Sequence, residues 1–292
     1  MEQIKITTSA GPIKSLWVLL FVLSVSFPAS TLLAQVKANP NGHFMEVNGA
    51  NIYYEEYGQG EPLILLHGFG RTLEDWRPFI SEYARTYRVI AWDMRGHGRS
   101  SNPDTGVAFL HKVAAKDLLL LMEKLKLGKV SAIGHSSGGI LLLYAATIEP
   151  GRFVNIIPVS AQTFFGPEVR SFISQNAKPE DYMKFNEMEA QHGKEKGMIL
   201  ARQFYHFHEL KGDPDIRDED LKKISAHTLV VHGDNDFVPV SQAWEMFRHI
   251  SSAHLWVVPN GWHMPHLGKS NTPDFIRQTT AFLHGDWNPR QE

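Results

Sequence analysis

A glycine–serine turn between two apolar runs constrains this chain more than any other feature. The strand-like run Val130–Ile133 leads directly into Gly134-His135-Ser136-Ser137-Gly138, and the apolar run Gly139–Ile148 follows at once. Glycines two positions before and two positions after Ser136 suit a turn so sharp that neighbouring Cβ atoms would collide. The pattern therefore predicts a strand–turn–helix unit with the Ser136 hydroxyl exposed at its tip. Five residues alone occur by chance, so the rest of the chain must support this interpretation.

Apolar runs of strand length alternate with helical patterns along most of the chain. The first two runs flank Asn48-Gly49-Ala50-Asn51 and predict a hairpin. Helices are predicted over residues 73–87, 110–125, 140–148, 240–250 and 272–283. Strands are predicted over residues 44–47, 52–57, 62–66, 88–92, 130–133, 153–159, 228–231 and 255–258. This alternation predicts an α/β fold with a mostly parallel sheet that is covered by helices on both faces.

The alternation stops after residue 161 and resumes near residue 226. Residues 162–225 contain helical, polar and aromatic patches but no strand–helix rhythm. We interpret this segment as a helical cap inserted into one α/β core, which comprises residues 44–161 and 226–292.

The N-terminal residues have the pattern of an export signal. Lys5 and Lys14 precede the apolar run Leu16–Leu23, and small residues ending at Ala34 follow that run, which predicts a signal peptide over residues 1–34. An uncleaved membrane anchor is the alternative, and it would be the chain's only contact with a membrane. Residues 35–43 are predicted to be a linker. We therefore expect a periplasmic or extracellular protein.

Composition excludes several classes of partner and chemistry. The net charge of −2, with no run of basic residues, gives no footprint for nucleic acid. The chain has no cysteine, which excludes disulfides, thiolate catalysis and cysteine-bound metals. We therefore expect a small-molecule substrate as the partner.

A serine nucleophile needs a base and an orienting acid, and two later loops offer them. Asp234 and Asp236 follow the strand at 228–231, and His263 and His266 follow the strand at 255–258. The carboxyl ends of parallel strands meet at one edge of a sheet, so these loops are expected near Ser136. The positions of these loops do not decide between Asp234 and Asp236 as the acid, or between His263 and His266 as the base.

Five segments, in their order along the chain, resemble those of the α/β-hydrolase fold family. The resemblance is to the serine-nucleophile, esterase-like branch with a small helical cap. The five segments are His67-Gly68, Asp93–Ser100, Gly134–Gly139, Gly233–Asp236 and Gly261-Trp262-His263. The resemblance spans residues 44 to 285 and implies an eight-stranded, mostly parallel sheet. It implies Ser136 as nucleophile, His263 as base and Asp236 as acid, with Asp234 shaping its loop and His266 packed nearby. The backbone N–H groups of Phe69 and Ser137 are the implied oxyanion donors.

The expected function is hydrolysis of a small to medium, largely apolar carboxylic ester through an acyl-enzyme. Aromatic residues expected near the mouth of the site motivate the apolar substrate, namely Phe69, Trp76, Phe164, Phe165 and Trp262. Lactonase, amidase and carbon–carbon bond hydrolase activities remain open with the same triad. A non-catalytic ligand receptor is the alternative of another class.

No cofactor and no metal are predicted. His206, His208 and Glu209 could hold a metal on a strand, but on a helix residues two apart point in different directions. The acidic run Asp213–Asp220 lacks the glycine of an EF-hand loop, and a solvated turn before a helix is the preferred interpretation.

Overall fold

The computed structural model describes residues 39–106 and 108–288. The predicted signal segment, residues 1–34, lies outside them. The strands are β1 (Gly42–Val47), β2 (Ala50–Tyr57), β3 (Pro62–Leu66), β4 (Arg88–Trp92), β5 (Val130–His135), β6 (Phe153–Val159), β7 (His227–Gly233) and β8 (Ala253–Val258). The helices are α1 (Arg77–Tyr83), α2 (His111–Lys124), α3 (Ser137–Ile148), α4 (Pro167–Asn176), α5 (Pro179–Phe185), α6 (Met188–His192), α7 (Lys194–His206), α8 (Asp218–Leu221), α9 (Val240–His249) and α10 (Asn271–His284).

The eight described strands form one mixed sheet in the order β1-β2-β4-β3-β5-β6-β7-β8. The β1–β2 and β2–β4 pairs are antiparallel, and all other neighbours are parallel. This confirms the predicted α/β-hydrolase fold with a mostly parallel, eight-stranded sheet. β5, which ends at the serine turn, lies in the interior of the sheet between β3 and β6.

Helices cover both faces of the sheet. Side chains of α2, α3 and α9 join one apolar layer with alternate residues of the strands, including Ile64 and Ala132. Side chains of α1 and α10 form the other layer with the intervening strand residues, such as Leu63 and Ile133. Burial of the central strands on both faces explains why their sequences are continuous apolar runs.

Several elements differ from the sequence prediction at their ends. The hairpin turn has only two residues, Asn48 and Gly49, both with positive φ, because such a turn matches the twist of the paired strands. β1 begins at Gly42, within the predicted linker. The single helix predicted over residues 73–87 is a 3₁₀ turn, Leu73–Trp76, followed by the shorter α1.

Helices α4 to α8 lie between β6 and β7, where the sequence predicted a helical insertion. An isolated bridge pairs Phe164 with Asp215, so the two ends of the insertion meet. No helix within the described part of the chain is long and apolar enough to cross a membrane.

Candidate active site

The turn between β5 and α3 holds Ser136 in a strained backbone conformation. Its φ of 51° and ψ of −119° lie outside the regions that side chains ordinarily adopt, at a cost of about 1–3 kcal/mol. A Cβ on Gly134 would collide with the Gly138 carbonyl oxygen, and a Cβ on Gly138 would collide with the Leu66 carbonyl oxygen. Only glycine fits both positions, which is the steric reason for the spacing in the sequence. Ser136 itself stays partly exposed.

A continuous hydrogen-bond chain runs from Ser136 to a buried carboxylate. His263 Nε2 lies 2.8 Å from Ser136 Oγ, and Nδ1 lies 2.9 and 3.0 Å from the two oxygens of Asp236. Burial raises the pKa of Asp236, but the hydrogen bond and charge of His263, the Val238 N–H and His232 together hold that pKa below its usual value. A carboxylate can only accept, so the proton of a neutral His263 ring is on Nδ1 and Nε2 is free to accept the serine proton.

The structure separates the alternatives within the two loops. Asp234 is exposed, whereas the Asp236 side chain is completely buried against His263. His266 is fully buried beside Trp76, Phe79 and Phe275, and its ring lies 4.7 Å from that of His135. No hydrogen bond joins His266 to Ser136 among the described residues. His263 and Asp236 are therefore the pair that the fold brings to the serine.

The two residues predicted as oxyanion donors, Ser137 and Phe69, belong to segments next to Ser136. Ser137 is the first residue of α3, so its N–H has no acceptor within the helix and lies at the positive end of the helix dipole. The loop containing Phe69 lies alongside, since a Cβ on Gly68 would lie 3.3 Å from Ser136 Cβ. The segment that contains Phe69 therefore passes close to Ser136, as its predicted role as an oxyanion donor requires.

Buried histidines fix the loop that contains Phe69. His67 Nε2 accepts a hydrogen bond from the Met94 N–H at 2.9 Å, and His97 Nε2 accepts one from Gly70 at 3.0 Å. Burial lowers the pKa of His67 to about 4 and the pKa of His97 well below its usual range. Both rings are therefore neutral near pH 7, as their acceptor roles require.

The five aromatic residues predicted at the mouth lie in different environments. The Phe69 ring is buried against Phe109 and Phe207. Trp76 is fully buried in the apolar layer of α1 and α10, so its predicted place at the mouth is wrong. It belongs to the 3₁₀ turn before α1, which directs the ring into the core. Phe165 is also buried, against Phe207. Trp262 and Phe164 are 72% and 50% exposed, respectively.

The sequence prediction missed Phe237, which contacts the site. Its ring centroid lies 4.4 Å from that of His263, and Phe172 of α4 stacks on it at 4.3 Å. Phe237 directly follows the acid in the sequence, so its position in the chain was a signal that could have identified it. The cap insertion thus contributes an apolar side chain, Phe172, that packs next to the site.

The two cation-binding alternatives do not assemble as sites. His208 Nδ1 is hydrogen-bonded to the Tyr205 carbonyl oxygen, and both His206 and His208 contact Glu209 at 3.4–3.5 Å, the range of ordinary ion pairs. Within the acidic run, Asp213 is buried and pairs with His111, and Asp220 pairs with Lys223. The carboxylates of that run point to different partners rather than to one centre.

Comparison with known proteins places the chain in a family. The sequence pattern of the alpha/beta hydrolase family matches residues 63–278. The human "Serine hydrolase BPHL" is 32% identical over 240 residues, 76% of this chain and 79% of that protein. The 2-hydroxy-6-oxo-6-(2'-aminophenyl)hexa-2,4-dienoic acid hydrolase of Metapseudomonas resinovorans is 28% identical over 82% of this chain and 90% of its own.

Solved structures share the architecture. A serine hydrolase involved in carbazole degradation (CarC enzyme) superposes with a TM-score of 0.69 at 25% identity, over 83% of this chain and 98% of that one. A thermophilic esterase from Thermogutta terrifontis gives 0.68 at 21% identity, over 84% and 98% of the two chains. The chain belongs to the alpha/beta hydrolase family, and the family together with these hydrolase relatives supports hydrolase activity.

Proposed function

We propose that this protein hydrolyses carboxylic esters with Ser136 as nucleophile, His263 as base and Asp236 as acid. The observation that carries the proposal is the unbroken hydrogen-bond chain Ser136 Oγ–His263–Asp236, with heavy-atom distances of 2.8–3.0 Å. These distances are those required for proton transfer from a hydroxyl to a positioned imidazole.

The geometry supports a two-step reaction. Ser136 Oγ attacks the ester carbonyl carbon while its proton passes to His263 Nε2, and Asp236 stabilises the resulting imidazolium. The tetrahedral oxyanion accepts hydrogen bonds from the N–H groups of Phe69 and Ser137, each worth about 3 kcal/mol. The intermediate expels the alcohol, which takes the proton from Nε2. Water, deprotonated by His263, then hydrolyses the acyl-enzyme and regenerates Ser136.

Apolar groups beside the catalytic ring favour an apolar acyl or alcohol group. Phe237 contacts the His263 ring, and Phe172 of the cap insertion stacks on Phe237. An apolar surface at this place lowers the free energy of a bound hydrocarbon chain by about 0.8 kcal/mol for each buried CH₂. We therefore propose a small to medium, largely apolar ester as the substrate.

A carbon–carbon bond hydrolase is the second candidate. The Metapseudomonas resinovorans relative acts on a hexadienoic acid and aligns with most of this chain. Lactones and amides contain the same electrophilic carbonyl and are the other substrate classes that the proposed triad could attack.

The experiment compares the purified protein with its Ser136→Ala variant. A fluorophosphonate probe should label the wild type and not the variant, and p-nitrophenyl esters of increasing acyl length should be turned over only by the wild type. Labelling that survives in Ser136→Ala would contradict the nucleophile assignment. Labelling without turnover of any ester would favour another substrate class, namely a dienoic acid like that named for the Metapseudomonas resinovorans relative, a lactone or an amide. The absence of both labelling and turnover would favour the non-catalytic receptor.

We also propose that the protein is exported through residues 1–34. The support is the order of basic, apolar and small residues in that segment. N-terminal sequencing of protein recovered from periplasm, medium and membrane fractions tests it. A new N-terminus near residue 35 supports cleavage, an intact N-terminus in the membrane fraction supports the anchor, and an intact N-terminus in the cytoplasm refutes export.

A further inference from the structure

A second serine–histidine–aspartate arrangement begins at Ser137, directly beside the first. His111, the first residue of α2, places Nε2 2.9 Å from Ser137 Oγ and Nδ1 2.6 Å from Asp213 Oδ1. His111 is completely buried, and Ser137 is only 4% exposed. The arrangement therefore repeats the residue types and ring-nitrogen pairing of Ser136–His263–Asp236, but it is closed to solvent and to substrate.

The hydrogen bonds around Asp213 define where the protons lie. Asp213 accepts hydrogen bonds from the backbone N–H groups of His111 and Lys112, at 3.0 and 3.1 Å, in addition to the His111 ring. Because a carboxylate accepts from all three donors, His111 Nδ1 bears a proton. In the neutral ring, Nε2 then accepts a hydrogen bond from the Ser137 hydroxyl. The Ser137 side chain is thus held in one rotamer by a partner that is itself oriented by Asp213.

The network connects the end of the cap insertion to the start of α3. Asp213 lies in the segment that returns from the cap to the core. That segment is attached by a hydrogen bond from the Asp215 N–H to the Tyr144 hydroxyl, at 2.7 Å, and by one from Ile216 to the Thr163 carbonyl. Tyr144 belongs to α3, the helix that begins at Ser137. One rigid assembly therefore contains the cap return, the start of α2 and the start of α3.

Apolar rings surround His111 and shield its hydrogen bonds from water. The ring lies 5.3 Å from the rings of Phe109 and Phe207 and 5.8 Å from that of Phe165. Hydrogen bonds in such surroundings are stronger than in water, and an unpaired partner there is costly. Water is therefore a poor replacement for either partner of His111.

We propose that Asp213 and His111 are positioning residues that aim the Ser137 backbone N–H at the oxyanion. The inference rests on the proposed function, in which that N–H is one of the two oxyanion donors. Burial of Ser137 denies its hydroxyl access to substrate, so the hydroxyl serves as a fixed point for the residue. A donor must be in place before charge develops, because reorganisation during the reaction would cancel part of its benefit.

Two substitutions at one position test the proposal. In His111→Asn the amide nitrogen can replace Nδ1 at Asp213 but cannot reach Ser137, whereas in His111→Gln the longer amide can reach the Ser137 hydroxyl. We expect kcat to fall about ten- to a hundredfold in His111→Asn, with KM within about twofold of wild type, since one oxyanion donor is worth about 10²–10³ in kcat. His111→Gln should restore most of kcat.

A trifluoromethyl ketone ester analogue provides a readout that a merely structural role would not change. Ser136 Oγ adds to the ketone carbon of this inhibitor, and the adduct is a tetrahedral oxyanion. Its inhibition constant should therefore rise in His111→Asn by the same factor by which kcat/KM falls. Ser137→Ala, which leaves the His111–Asp213 contact in place, should show the same parallel change and serves as the test if His111→Asn does not fold.

The control is Tyr83→Phe, which removes a buried hydrogen bond to Thr279 in the α1–α10 layer. It should lower stability without changing kcat or the inhibition constant. Equal kcat losses in His111→Asn and His111→Gln, or a Ser137→Ala variant with wild-type kcat and inhibition constant, would overturn the proposal. Failure of the fluorophosphonate to label Ser136 in the wild type would instead refute the proposed function, so the two failures are distinguishable.

Discussion

Replacement of the buried His266 should make the protein less sensitive to acid. His266 is fully buried, neither ring nitrogen has a hydrogen-bond partner among the described residues, and burial holds its pKa well below the usual range. Below a pKa of about 6.5 the unfolded chain therefore binds a proton at this side chain that the native protein does not bind. The free energy of unfolding therefore falls as the pH decreases below about 6.5, and His266 causes no such loss above that pH.

The magnitude follows from this proton difference. A difference of one bound proton changes the free energy of unfolding by about 1.4 kcal/mol per pH unit. From about pH 7.5 to about pH 5 the loss from His266 alone integrates to about 2 kcal/mol. His266→Leu lacks this loss and replaces the ring with an apolar side chain of similar volume, so it should cost less than about 1.5 kcal/mol at neutral pH.

The assay is urea unfolding of wild type and His266→Leu at both pH values. The stability of the variant relative to wild type should increase by about 2 kcal/mol at the lower pH, or by about 4–8 °C in Tm. The neighbouring His135 has a pKa of about 3 because of burial, so its own proton difference is the same in both proteins. His227→Leu, which removes an exposed imidazole, is the control. A stability difference that does not change with pH would refute the reasoning.

Three further predictions concern the site and the core. Asp236→Asn should lower kcat by about 10⁴-fold because the amide would no longer hold the required His263 tautomer; Asp234→Asn, at an exposed carboxylate, should not, and equal losses would contradict the choice of Asp236. Phe275→Ala should lower the free energy of unfolding by about 3–5 kcal/mol, since Phe275 is fully buried in the α1–α10 layer; chemical denaturation measures it, and a loss below about 1 kcal/mol would mean that the layer repacks. EDTA should leave ester turnover unchanged, because the proposed serine–histidine chemistry needs no metal; a large loss restored by a divalent cation would contradict it.

A comparison of the activities of His263→Ala and His266→Leu tests which histidine is the catalytic base. The fold places His263 against Ser136 and His266 against Trp76, with His135 between the two histidines. We expect His263→Ala to lose at least about 10⁴-fold in kcat and His266→Leu to stay within about tenfold of wild type. The reverse order would mean that the wrong histidine has been assigned as base.

Local sequence was sufficient for the elements of the α/β core. Continuous apolar runs identified its central strands because burial on both faces leaves few polar positions. The turn at Asn48-Gly49 identified the two strands of the hairpin, which contain polar residues. The glycines around Ser136 identified the sharp turn because only they fit between Leu66, Gly134 and Gly138 backbone atoms. Element ends were less well predicted. The two-residue hairpin at Asn48-Gly49 and the 3₁₀ turn before α1 depend on strand twist and on the packing of Trp76, which no local pattern contains.

The sequence by itself determined the order of strands and helices along the chain, and the candidate site residues at the ends of those strands. Only the tertiary structure decided which candidates meet: Asp236 and not Asp234 contacts His263, and Trp76 lies in the core instead of at the mouth. It also brought His111 and Asp213, 102 residues apart, together at Ser137. Such contacts depend on the order of strands in the sheet and on the return of the cap, and neither leaves a periodic signal in the amino-acid sequence.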